Sequence, residues 1–186
     1  MSVIRGFVWL VAVVVTGCSG YVNTTGPEHC GAISGEEYWG KISNPHIITC
    51  NTTVSGFVEI GPGVKVQFEE GAELVVTGGI VVSGTAESPV RFEGKDGAAY
   101  AGLVIRGNQR ENSFSHLTVD GAGYAEGVEL GGITLDSGPV KMKNVTIENA
   151  FDCGLRLLNN GRVHSASENI VTVSYTHLTL PTICSV

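Results

Sequence analysis

A chain of 186 residues holds one domain's worth of core, and 26 Gly with 6 Pro, 7% aromatic residues and 2 Met describe a turn-rich β protein built on Val, Ile and Leu. The formal charge is -7, from 18 acidic against 11 basic residues scattered along the chain, and this excludes the basic stripe that a nucleic-acid partner requires.

Residues 1–17 read as an export signal, with Arg5 as the positive start and Phe7 to Val15 as the apolar centre. That run is shorter than the roughly 20 residues a membrane-spanning helix needs. Val15-Thr16-Gly17-Cys18 resembles the lipobox of bacterial lipoproteins. The resemblance implies acylation of Cys18, attachment to a membrane through that lipid and, with Ser19 next in the chain, sorting to the outer membrane.

Residues 18–46 are rich in Gly, Ser, Thr, Asn and Glu and are expected to form a tether and an N-terminal cap, with Trp39 covering the first exposed layer of core. An exported chain can form disulfides. Cys30 and Cys50 flank the cap and are predicted to pair, stapling it to the first regular strand. Cys153 has no evident partner and is expected as a buried free thiol. No spacing of Cys or His suggests a metal site, and no cofactor is expected.

Residues 47–172 carry the regular pattern. Val64, Val66 and Phe68 alternate with Lys65 and Gln67, and short runs around Leu74, Ile80, Val90, Leu103, Leu117, Ile133, Val145 and Leu155 continue in the same manner between glycine-marked turns. Ser113 to Ala122 align without gaps on Lys141 to Ala150, 28 residues later, preserving the apolar positions and an acid after the second of them. A sandwich or barrel is the structural rival. The corners decide against it: most are single Gly, Gly-Gly or Ser-Gly, and the two-residue hairpin signal is rare, as at Asp120-Gly121 and Asn160-Gly161. An all-β parallel solenoid follows, each strand lying about 4.8 Å from its equivalent one coil away.

Ile60-Gly61-Pro62-Gly63 through Phe68, Leu74 to Gly78, and Gly84-Thr85 through Pro89-Val90-Arg91-Phe92 then resemble the successive coils of right-handed parallel β-helix proteins of bacterial envelopes. Tyr100-Ala101-Gly102-Leu103 stands where those proteins carry a Trp-led phrase. The resemblance spans about residues 47–170 and implies the fold. It does not imply an activity, because the group includes lyases, hydrolases and adhesins.

The tail, residues 173–186, breaks the repeat. Val173 to Thr182 resemble the translation of a transposon-type sequencing adapter, so this segment is expected to be adapter-derived, the coils to continue past Thr172, and His177 and Cys184 to belong to no site.

Chemistry on such a scaffold needs carboxylates clustered on one outer face, for acid and base roles or, in a lyase, for calcium. Asp120 and Glu148 are the candidates: the 28-residue offset stacks them on adjacent coils, with Lys141, Lys143 and Arg106 as possible neighbours. His116, about 13 Å from Asp120 along an extended strand, is too far to couple with it. Three functions are compatible: a lipid-anchored envelope solenoid with a structural, adhesive or glycan-binding role; the N-terminal part of a polysaccharide lyase or hydrolase whose catalytic coils lie beyond Thr172; and an envelope assembly factor. The expected partners are a membrane, through the lipid, and a polysaccharide or other surface polymer.

Overall fold

The structure, a computed structural model, describes residues 27–107, 110–124, 130–173 and 183–185; Cys18, the export signal and residues 174–182 and 186 of the tail lie outside the described residues. In chain order the strands are β1 (Glu28–Ile33), β2 (Glu36–Trp39), β3 (His46–Val54), β4 (Phe57–Ile60), β5 (Lys65–Phe68), β6 (Glu73–Val76), β7 (Gly79–Ser83) and β8 (Val90–Gly94). They continue with β9 (Gly102–Ile105), β10 (Asn112–Asp120), β11 (Gly131–Leu135), β12 (Pro139–Glu148), β13 (Cys153–Leu157), β14 (Arg162–Val163), β15 (Glu168–Val173) and β16 (Ile183–Ser185).

Every pairing between these strands is parallel. The chain winds a β-solenoid of about 5 turns with three faces. The first face stacks the starts of β1 and β3 on β5, β8, the ends of β10 and β12, and β15. The second stacks the ends of β1 and β3 on β6, β9, β11, β13 and β16. The third stacks β2, β4, β7, the starts of β10 and β12, and β14. The offset of 28 residues in the sequence is the register itself, running from Ser113 opposite Lys141 to Asp120 opposite Glu148.

Alternation determines what fills the coil. On the first face Val66, Phe68, Val90, Phe92, Leu117, Val119, Val145 and Ile147 point inward and are buried, while Lys65, Gln67, Arg91, Glu93, Asp120 and Glu148 point out. Inside, Phe68 stacks on Tyr100 at 4.4 Å between ring centroids and meets Phe92 at 5.8 Å. Among the polar side chains in the inward stacks, Asn112, in register with Ile80, accepts from the Ile80 amide (3.1 Å) and donates to the Gly107 carbonyl (2.8 Å). Both halves of its amide are thereby satisfied, as burial demands.

The ladder starts earlier than residue 47. β1 and β2 are in register with β3 and β4, so residues 28–39 form a coil of their own. Trp39 lies inside it, 1% exposed, stacked against His29 (4.2 Å) and His46 (5.1 Å). A disulfide joins Cys30 to Cys50 where the register of β1 on β3 shifts. Cys153 is not a free thiol: it is bonded to Cys184, which β16 brings beside β13. The separation of 31 in sequence conceals that the two cysteines stand at one end of the same face.

The corner between the third and first faces also differs from a continuous extended strand. His116, Asn144 and Asn169 occupy equivalent positions on three successive coils with φ of 47°, 52° and 53°. This left-handed region suits Asn and His better than most residues. Their side chains form a ladder, Asn169 Nδ2 donating to Asn144 Oδ1 (2.8 Å) and Asn144 Nδ2 lying 2.9 Å from His116 Nε2. The bend at His116 turns β10 from one face to the next, so His116 and Asp120 do not share an extended run.

Candidate functional site

Asp120 and Glu148 close adjacent strands of the first face, and their stack extends upward through Glu93 to Gln67 in strict register. Three carboxylates, one per coil, would repel if left alone. Arg91 prevents this. Its outward position on β8 is two residues before Glu93, and its guanidinium donates from Nε to Glu93 (2.8 Å), from Nη1 to Glu148 (3.4 Å) and from Nη2 to Asp120. Asp120 accepts further from Asn149 Nδ2 (2.7 Å), and Glu93 from Gln67 Nε2 (3.1 Å) and Lys65 Nζ (3.0 Å).

The electrostatics follow from these contacts. Partial burial alone would raise the Glu93 pKa, but the hydrogen bonds from Gln67, Lys65 and Arg91 outweigh it and hold the carboxyl below its ordinary value. For Arg91, burial acts to lower the pKa, and the bond to Glu93 with the charges of Asp120 and Glu148 raises it instead. Behind this column the Tyr100 hydroxyl is buried against the Asp120 backbone, and burial pushes its pKa up, so the phenol stays neutral.

The column borders a cleft of about 580 Å³, within the range of small-molecule sites. Gln67, Glu93, Asp120 and Asn149 line it from successive coils, the turn from Gly94 to Ala99 contributes Asp96, and Phe151 contributes an aromatic ring. Asp96 has φ 54° and Asn149 has the same value, both at the corner where the chain leaves the first face. Phe151 is 46% exposed and packs its ring 5.2 Å from that of Tyr124, itself 44% exposed. These are two of the three exposed aromatic side chains among the described residues.

The sequence brings Asp120 and Glu148 together correctly, but their cation is Arg91. Arg106 pairs with Asp136 (3.1 Å) and Lys143 with Glu168 (2.8 Å). Sequence reasoning misses Arg91 and Glu93 because the repeat that relates Ser113–Ala122 to Lys141–Ala150 does not contain them. Setting Val90-Arg91-Phe92-Glu93 over Leu117-Thr118-Val119-Asp120 exposes both. It also misses that coiling brings His29 Nε2 to 3.1 Å from His46 Nδ1, with Glu37 3.9 Å from the other nitrogen of His29. Among the described residues no group of three or more His, Cys, Asp or Glu is placed to hold a metal ion. Comparison with family models, with curated proteins and with solved structures finds no match.

Proposed function

We propose that this chain is a lipid-anchored solenoid of a bacterial envelope whose outer surface binds glycan and performs no chemistry on it. The observation that carries the reading is the sharing of Arg91 by Glu93, Asp120 and Glu148. A general acid or base must exchange a proton with its substrate and be free to reach it. The two candidate carboxylates are instead committed to one guanidinium. A glycosidase pair also stands on either side of the scissile bond. Asp120 and Glu148 are stacked at coil spacing and face the same way. The cleft beside them supplies hydrogen-bonding amides and an exposed ring, as a surface that holds sugars requires. The envelope location and the anchor rest on residues 1–18 alone.

The test is incubation of the purified protein with a panel of neutral and uronate polysaccharides, following both retention and chain length. Retention with no shortening is expected, and fatty-acid label on the expressed protein should disappear with Cys18→Ala. Cleavage by the wild type that is lost in the Asp120→Asn, Glu148→Gln variant would make the chain an enzyme.

A further inference from the structure

We infer that the cleft beside Asp120 is a binding site for uncharged pyranose oligomers, with Phe151 as the platform for a sugar ring and Asp96, Asn149 and Gln67 as the groups that grip its hydroxyls; this rests on the binding role proposed above. Three features select that ligand class. First, the lining is polar apart from Phe151, Ala98, Ala99 and the glycines, and its carboxylates and amides keep lone pairs to which a ligand hydroxyl can donate and which an apolar ligand would leave unused. The occupant must offer many hydroxyls. Second, the exposed Phe151 ring, backed by Tyr124 at 5.2 Å, presents a flat apolar face beside those polar groups. A pyranose has the matching character, a C–H face bordered by equatorial hydroxyls. Third, the lining residues come from four successive levels of the first face, Gln67, Glu93, Asp120 and Asn149, so the site is elongated along the axis and suits a chain of sugars.

Charge determines which sugars. Glu93, Asp96 and Asp120 line the cleft and Glu148 stands next to Asp120, against Arg91 and Lys65. The cations are already engaged by these carboxylates, and an incoming carboxylate or sulfate would meet net negative potential. Uronates and sulfated sugars are thus rejected by the same residues that bind neutral ones.

The experiment is titration calorimetry of the full chain with hexamers of glucose, mannose and galactose in α and β linkages, a galacturonate hexamer and a lysine hexapeptide. At least one neutral hexamer should bind saturably, and the galacturonate hexamer at least about tenfold more weakly, the gap narrowing in about 0.5 M salt as charges are screened. Phe151→Ala should weaken the neutral hexamer on the order of tenfold while Phe151→Trp retains it. Both variants alter a half-exposed side chain, and unchanged thermal midpoints would establish that each is folded. The inference is overturned by the absence of binding to every neutral hexamer, by equal or tighter binding of galacturonate or the lysine peptide, or by affinity indifferent to Phe151→Ala. Retention on whole polysaccharides with no hexamer bound would sink this site while leaving the broader binding role standing; cleavage would sink both.

Discussion

Arg91 ties its own strand to carboxylates 29 and 57 residues further along the chain, and its side chain is 39% exposed, so solvent weakens each individual pair. Its value lies in the alternative: without it, Glu93, Asp120 and Glu148 form an unbroken stack of like charge. Arg91→Met keeps the stem and removes the charge. It should lower stability by about 1–2 kcal/mol at low salt, read from urea midpoints, and the loss should shrink in high salt and when Asp120→Asn and Glu148→Gln are added. Equal midpoints for Arg91→Met and wild type at low salt would show that the column needs no cation. The second residue-scale device is the ring stack at the N-terminal coil. Burial, then the neighbouring His46, lowers the His29 pKa from 6.5 to about 4 against the opposing pull of Glu37, and burial lowers that of His46 as well. Between those values the unfolded chain holds a proton that the folded chain does not, so stability is complete above 6.5 and is lost as pH falls toward 4. The loss should be about 1–2 kcal/mol, below the full shift because water reaches part of the pair. Thermal midpoints should begin to fall near pH 6, ahead of carboxylate titration, and His29→Gln should flatten that first decline. A midpoint constant down to pH 5 would remove this role for the pair.

At the scale of the strand and its corner, the repeated device is a column of glycines where the second face passes to the third. Gly35, Gly56, Gly78 and Gly107 occupy this corner on successive coils. A methyl group at Gly56 would stand 2.0 Å from the Gly35 carbonyl oxygen, one at Gly78 would stand 2.0 Å from that of Gly56, and one at Gly107 would stand 2.1 Å from that of Thr77. The requirement is contact between coils, since the amides of Gly56 and Gly78 also bond to carbonyls of the coil before, at 3.0 Å each. Gly35 belongs to the first coil and a methyl group there meets nothing. Gly78→Ala should therefore cost about 2–3 kcal/mol, as overpacking does, whereas Gly35→Ala should change stability by no more than about 0.5 kcal/mol; denaturation midpoints that fall equally for the two would refute this account. The glycine corners and the alternation were legible in the chain because both are local. The coil of residues 28–39 was not, since Glu28, His29, Cys30 and Gly31 show no alternation and gain their register only from β3. The bend at His116 and the Arg91 partnership escaped for a related reason: corner lengths vary, and cross-coil neighbours emerge only when every repeat is aligned at once.

For the whole molecule, the backbone of each coil pairs only with the coils before and after it, so stability is close to a sum of neighbouring interfaces and, among the described coils, is lowest at the ends of the ladder. The N-terminal coil has β3 and β4 beneath it and is tied to β3 by the Cys30–Cys50 bond, which closes 20 residues of chain. Closing a loop of that size removes about 3 kcal/mol of entropy from the opened state, and the benefit belongs to the coil that would otherwise fray. Replacing both cysteines by serine should therefore loosen one end of the solenoid and leave its middle intact. Hydrogen exchange should speed at Ile33 and Trp39, and the stacked rings of Trp39, His29 and His46 should become more accessible, while Val66, Val82 and Val119 in the central coils keep their protection. Exchange that rises equally from Ile33 to Val119 would show that the coils unfold as one unit, and exchange unchanged at Ile33 and Trp39 would show that stacking of Trp39 between the two histidines holds the coil without the bond.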